Sequence, residues 1–211
     1  MKKIAVVTAN LGNFEKNSNV FISGYNDYDT FKITDKDFPP RFCSMTPRLQ
    51  ARIVKMFMWQ FVPGYEYYLW VDSSCMLMGK EAVDWFMEKL GDANIAVFKH
   101  PNRNSIQEEA DYLKKRLAMK CPYITPRYTN ELIDEQLKCV DGDDLLFAST
   151  AFIYRNSTPV HMAMKEWWYH TSRFHSIDQL SFYHSIRYAD LSFNIIEESY
   201  LKIPYLKYVR K

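Results

Sequence analysis

The chain has 211 residues, 47% of them hydrophobic and 25% charged, with 27 Lys and Arg against 25 Asp and Glu. That length suits a single domain whose core needs no disulfide staples, and the composition excludes a disordered chain. A formal charge of +2 excludes a nucleic-acid binder working through its overall field; a local basic cluster can still hold one pyrophosphate.

Residues 3–9 (KIAVVTA) read as a buried first strand that stops at Asn10-Leu11-Gly12-Asn13. The opening Met1-Lys2-Lys3 imitates a signal sequence, but the apolar run after it is too short. Residues 28–34 (YDTFKIT) predict a second strand, and Asp35 to Pro40 a turn. Thr46 and Pro47 are an N-cap and a first helical residue, and Leu49, Ile53, Met56, Phe57 and Phe61 continue at helical spacing, so a helix is predicted over 46–60. Its Arg48, Arg52 and Lys55 share one face, a cationic stripe of the kind usually solvated, with Ile53, Met56 and Phe57 turned to the core. Pro63-Gly64 ends it.

Residues 66–72 (EYYLWVD) form a strand closing on a carboxylate, 80–90 a helix and 94–98 (NIAVF) another strand. Charged helices follow over 105–120 and 126–138, then a strand over 145–154 (LLFASTAFIY). Helices over 159–171 and 177–187, a strand at 192–196 and a basic tail after Tyr200 complete the chain. Strands alternate with helices, which predicts an α/β sandwich with a mostly parallel sheet. No stretch approaches the roughly 20 apolar residues of a spanning helix. Cys43, Cys75, Cys121 and Cys139 are scattered, with no CxxC. Their even count leaves disulfides open, while the chain length and the lack of a signal-like segment favour reduced thiols in a cytosol.

In open α/β sheets ligands gather beyond the carboxyl ends of the strands. After the first strand, Thr8 and Asn10 either make a tight turn or bind a base or ribose; no GxGxxG is present. After the third comes Trp70-Val71-Asp72-Ser73-Ser74. A carboxylate beside a buried aromatic strand needs a partner or a cation, and hard divalent ions take carboxylate and phosphate oxygens together. Asp72 is therefore either a cap or a metal ligand, with hydroxyls at Ser73 and Ser74 to assist. Lys99-His100-Pro101-Asn102-Arg103 puts three groups able to carry positive charge within five residues. They contact a phosphate or pair with Glu108 and Glu109 in solvent. In Ser176-Ile177-Asp178-Gln179, Ser176 is an N-cap, Gln179 its capping-box partner and Asp178 a first-turn acid. The functional reading makes Asp178 a general base.

The order Ala51-Arg52-x-x-Lys55, WVDSS, KHPNRNSIQEEA and DQLSF resembles the GT-A glycosyltransferases. More closely it resembles a group first known as a domain of unknown function, with plant hexosyltransferase-like members. The chain also looks like the N-terminal glycosyltransferase domain of a chlorella-virus enzyme that decorates the viral capsid. The resemblance covers about residues 3–197 and implies a GT-A-like three-layer α/β/α fold over one domain, 1–211. It implies transfer of a hexose from a nucleoside-diphosphate sugar, most simply a UDP-sugar, to a glycan or glycoprotein. Asp72 and Ser74 match the ends of a DxD-like motif that brings Mn²⁺ or Mg²⁺ to the donor diphosphate, with Ser74 in place of the second carboxylate. Arg52 and Lys55 match a basic pair near that diphosphate; His100, Arg103 and Glu109 match the KHP-x-R…EA segment; Asp178 and Gln179 match a late pair near sugar and acceptor. The implied location is the cytoplasm, the host's if the source is viral. The basic end, Lys207 to Lys211, suits a cut before a further domain.

Two other classes share these features. A sugar-nucleotide nucleotidyltransferase would carry a Gly-rich basic loop after the first strand, where Asn10-Leu11-Gly12-Asn13 is poor in both. A non-catalytic carbohydrate- or nucleotide-binding module would not need Asp72 and Asp178 together.

Overall fold

The computed structural model describes residues 3–12, 28–39, 45–79, 81–120, 129–140, 145–174 and 177–209. In these, β1 (Ile4–Asn10), β2 (Tyr28–Thr34), β3 (Tyr67–Val71), β5 (Ile95–Lys99), β6 (Phe147–Arg155) and β7 (Phe193–Ile196) form one sheet in the order β2-β1-β3-β6-β5-β7. β4 (Cys75–Leu77) and β8 (Leu206–Tyr208) pair antiparallel in a small second sheet. The helices are α1 (Pro47–Met56), α2 (Met58–Phe61), α3 (Ala82–Leu90), α4 (Ile106–Ala118), α5 (Asn130–Leu137), α6 (Thr158–Arg173) and α7 (Gln179–Tyr188).

The α/β fold class and the predominance of parallel pairing agree with the sequence. β1 runs parallel to β2 and β3, and β5 parallel to β7; β6 is antiparallel to both its neighbours. Side chains alternate across the sheet because a strand has a period of two. Ala5, Val7, Tyr68 and Trp70 enter one core with Val54 and Met56 of α1, Trp167 of α6 and Phe182 of α7. Ile4, Val6, Tyr67, Leu69 and Val71 enter the opposite core with Val83 and Phe86 of α3. Helices thus cover both faces. A third cluster joins Ile106, Ala110 and Leu113 of α4 to Ile133 of α5 and Leu180 of α7.

Two elements depart from expectation. The helix predicted over 46–60 breaks at Phe57, whose backbone takes φ −122° and ψ 38°. Met56 and Met58 are both fully buried, and residues two apart cannot face one way on a continuous helix. The break brings both inward. The tail read only as basic contains β8, whose Leu206 is buried beside β4. Thr46 and Ser105 cap α1 and α4, each accepting from the third residue on. Cys75 is a buried and Cys139 an exposed free thiol; Cys43, Cys121, Ser176 and residues 126–128 of the predicted helix lie outside the described residues.

Candidate active site

A cavity of about 450 Å³ opens beyond the carboxyl end of β3. α1 lines it with Arg48 and Arg52, the β3–β4 turn with Asp72 and Ser74, and β6 with Ser149 and Thr150. Arg103 precedes α4, which adds Glu109, Tyr112, Leu113 and Arg116, four positions of one helical face. Ile177, Asp178 and Gln179 enter at the start of α7, and Tyr200 and Tyr208 from the C-terminal segment.

Each lining element has a local cause. Asp72 follows Trp70 by two residues, so it points to the same face of the sheet, and the Trp70 indole Nε1 donates to its Oδ1 at 2.7 Å. Its backbone N–H donates to the carbonyl of Thr150 at 2.8 Å. Opposite β5, the register of β6 jumps from Phe152 to Ala148, and this irregularity frees Ser149 and Thr150 to face the cavity.

Beneath the cavity lies Lys55, completely buried. Its ammonium is 2.8 Å from Asp178 Oδ2 and 3.5 Å from Asp72 Oδ1, and it sits over the rings of Trp70, Phe152 and Trp167 at 5.6–6.0 Å. Burial pulls its pKa down, while Asp178 and Asp72 hold the proton on. Arg52 Nε lies 3.3 Å from the same Asp178 oxygen. The stripe Arg48-Arg52-Lys55 is therefore not a solvated face: its two arginines line the cavity and its lysine closes the floor. The carboxylates facing it supply the partners that solvent would otherwise provide.

Asp178 is not in the first turn of α7 but is its N-cap residue, and its carboxylate makes no capping bond. It is 1% exposed. Burial alone would raise its pKa; Arg52 and Lys55 outweigh burial and hold it down at about 2. A carboxylate held in two ion pairs is a weaker proton acceptor than a solvated one. Asp178 instead fixes two cations, and its own carbonyl accepts from the Trp167 indole at 2.7 Å. Glu109 is the other buried acid of the cavity. Burial raises its pKa, with Arg103, its ion-pair partner, opposing.

His100 also departs from expectation. It is 6% exposed and does not line the cavity. Nδ1 accepts from the backbone N–H of Asn102 and of Arg103, at 3.3 and 3.1 Å. Burial first, then the Arg103 charge, lower its pKa to about 4, so the ring is neutral at pH 7 rather than a cationic phosphate contact. Its role is to shape the loop that carries Arg103. That guanidinium stands 4.0 Å over the Tyr112 ring, beside Glu109 and His100. Lys99 instead approaches Glu197 at 3.8 Å.

Of the residues singled out in the sequence, the cavity thus gathers Arg48, Arg52, Asp72, Ser74, Arg103, Glu109, Asp178 and Gln179. Thr8, Asn10, Lys55, Ser73 and His100 are not among its lining residues. Thr8 is buried in β1 and Asn10 ends it. The sequence reading missed Tyr112, Arg116, Ser149, Thr150, Tyr200 and Tyr208. The spacing of Glu109, Tyr112 and Arg116 was a usable signal, as was the polar Ser149-Thr150 pair inside an apolar strand.

A hard divalent cation fits this donor set. Both contacts of the Asp72 carboxylate fall on Oδ1, leaving Oδ2, and the side chain is 27% exposed. Ser74 adds a hydroxyl. Among the described residues no third acid, His or Cys joins Asp72 in a metal-sized cluster. An ion here would rely on phosphate oxygens and water, as Mg²⁺ commonly does.

Residues 42–200 match a family model described as the TOD1/MUCI70 glycosyltransferase-like domain. No curated protein matches the sequence at a significant level. A crystal structure of a glycosyltransferase involved in the glycosylation of the major capsid of PBCV-1 matches over 92% of this chain and 81% of its own, at 8% identity and a TM-score of 0.49. No helix among the described residues is long and apolar enough to cross a membrane.

Proposed function

The chain belongs to the TOD1/MUCI70 glycosyltransferase-like domain family, and from that premise we propose that it is a metal-assisted GT-A hexosyltransferase. Its donor is a nucleoside-diphosphate sugar, a UDP-sugar in the simplest case, and its acceptor a hydroxyl of a glycan or glycoprotein. The observation that carries the reading is the placement of Asp72. It ends a buried strand, half-open to a cavity where Arg48, Arg52, Arg103 and Arg116 converge. Among the described residues, these four arginines and Lys55 beneath them stand with the three acids Asp72, Glu109 and Asp178, a set of charges that suits a polyanionic ligand.

Asp72 and Ser74 hold Mn²⁺ or Mg²⁺ in this reading. The bound ion would supply charge neutralisation for the departing nucleoside diphosphate. The protein's own groups do the rest. Arg48 and Arg52 donate to the diphosphate, and Asp178 keeps Arg52 and Lys55 in place. Such preorganised charge is commonly the largest catalytic contribution. Gln179 reaches the sugar, and the tyrosines offer apolar faces to sugar or base. As the acceptor oxygen bonds to the anomeric carbon, the bond from that carbon to the diphosphate oxygen breaks. The acceptor's proton passes to Glu109, whose raised pKa suits a base better than Asp178.

Incubation with a panel of nucleotide sugars, an oligosaccharide acceptor and Mn²⁺ tests the reading. The expected result is release of nucleoside diphosphate with glycosylated acceptor, lost on chelation. Pyrophosphate release from a sugar phosphate and a nucleoside triphosphate would favour the nucleotidyltransferase class instead. Binding of nucleotide sugar without turnover across the panel would leave only a binding module.

A further inference from the structure

Away from the cavity, α6 and α7 bring together Glu166, His170 and His184. Glu166 and His170 are four apart on α6 and so share a face; His184 comes from α7. One ligand atom from each lies within 4.8 Å of the others. His170 Nε2 is 3.2 Å and His184 Nε2 3.9 Å from the same oxygen, Glu166 Oε1. The imidazoles meet edge to face, with centroids 4.9 Å apart and planes at 73°.

We propose that Glu166, His170 and His184 form a binding site for a zinc-class divalent cation that ties α6 to α7. Four-coordinate zinc with bonds of roughly 2.1 Å separates its ligand atoms by about 3.4 Å. The two separations from Glu166, 3.2 and 3.9 Å, bracket that figure, and the third pair lies within 4.8 Å. The 3.9 Å separation of Glu166 and His184 is too long for a hydrogen bond between that pair. A cation would engage all three. Two imidazoles and a carboxylate suit zinc, nickel or cobalt, whereas the oxygen donors Asp72 and Ser74 suit magnesium or manganese. The two sites are thus chemically distinct. His170 is almost fully buried, while Glu166 and His184 keep 21% and 15% side-chain exposure, so an ion can enter and hold a water as fourth ligand.

The site lies next to the element that sets the cavity floor. Trp167, adjacent to Glu166, donates to the Asp178 carbonyl. Clamping α6 to α7 would fix the turn that presents Asp178 and Gln179. The inference stands independently of the reaction proposed above.

The test uses the tag-free chain, stripped by chelator and dialysed. Zinc titrated against a chromogenic chelator should be retained at one equivalent per chain. Zinc at 100 times its Kd should raise Tm by roughly 5–10 °C. Cobalt should give the visible absorption of a low-coordinate His-ligated ion. Glu166→Gln, at the accessible rim, and His184→Gln should each abolish retention and the Tm shift; Asp72→Ala should keep both. If His184→Gln fails to fold by circular dichroism, Glu166→Gln alone decides. No zinc retained by the parent chain, or full retention by Glu166→Gln, overturns the proposal.

Discussion

Lys55 and Asp178 are 123 residues apart in sequence and 2.8 Å apart in the core. The pair joins α1 to the start of α7 beneath the cavity, and neither side chain reaches bulk water. Taking two charges out of water costs several kcal/mol each, and here mutual attraction, Arg52 and Asp72 offset that cost. The arrangement fixes the positions of cavity groups more than it adds stability.

Removing one partner should accordingly cost far more than removing both. Asp178→Asn leaves a buried ammonium without its nearest anion and should destabilise the fold by about 3–5 kcal/mol. Adding Lys55→Met, whose side chain suits the surrounding Trp70, Phe152 and Trp167, should recover a large part of that loss. Urea denaturation of the two single variants and the double variant gives the coupling directly. Additive losses would show that the pair does not act as a unit.

Asp72→Ala should remove metal-dependent binding of a nucleoside diphosphate while leaving the far-ultraviolet circular dichroism unchanged. Calorimetric titration with and without Mn²⁺ is the measurement. Equal affinity for the diphosphate in both variants, with the metal still required, would place the ion elsewhere.

Arg48→Ala should weaken diphosphate binding by about 10–100-fold, the value of a lost charged hydrogen bond of roughly 1.5–3 kcal/mol. Competition with added salt should fall in parallel, because one fewer cation faces the ligand.

Glu109→Gln should lower kcat by about 10²–10⁴-fold with the donor KM nearly unchanged, the signature of a lost general base. Restored turnover with a more acidic acceptor hydroxyl would support the role. An equal rise in donor KM would point instead to a displaced Arg103.

Stability should fall on the acid side for two reasons of the same sign. His100 has a folded pKa of about 4 against its ordinary 6.5, so the unfolded chain binds the proton first. Stability from its neutrality is complete above pH 6.5 and is lost as pH falls towards about 4, by roughly 3 kcal/mol in all. Asp178, depressed from 3.8 to about 2, contributes stability above 3.8 that disappears as pH falls through about 2. His100→Asn keeps an acceptor for the backbone N–H groups of Asn102 and Arg103 and cannot titrate. Its Tm should vary less than the parent's between pH 6.5 and about 4.

Much of this protein was written in local chemistry. The period-two alternation of β1 and β3, the Thr46-Pro47 start of α1 and the Ser105 cap of α4 each depend on neighbours within a few residues, so they were legible. The same holds for Asp72, because a carboxylate directly after five buried residues has to face a strand end. What no local pattern contains is which face of a helix meets which distant charge. Lys55 reads as a surface residue until α7 brings Asp178 over it, and Asp178 reads as a base until two cations hold its pKa down. His100 reads as a cation until its own loop folds back on the ring. The cavity, the α6–α7 cluster and the depressed pKa of Asp178 arise from contacts between segments brought together by folding, and burial together with the neighbouring charges sets their strength; tertiary structure therefore decided them.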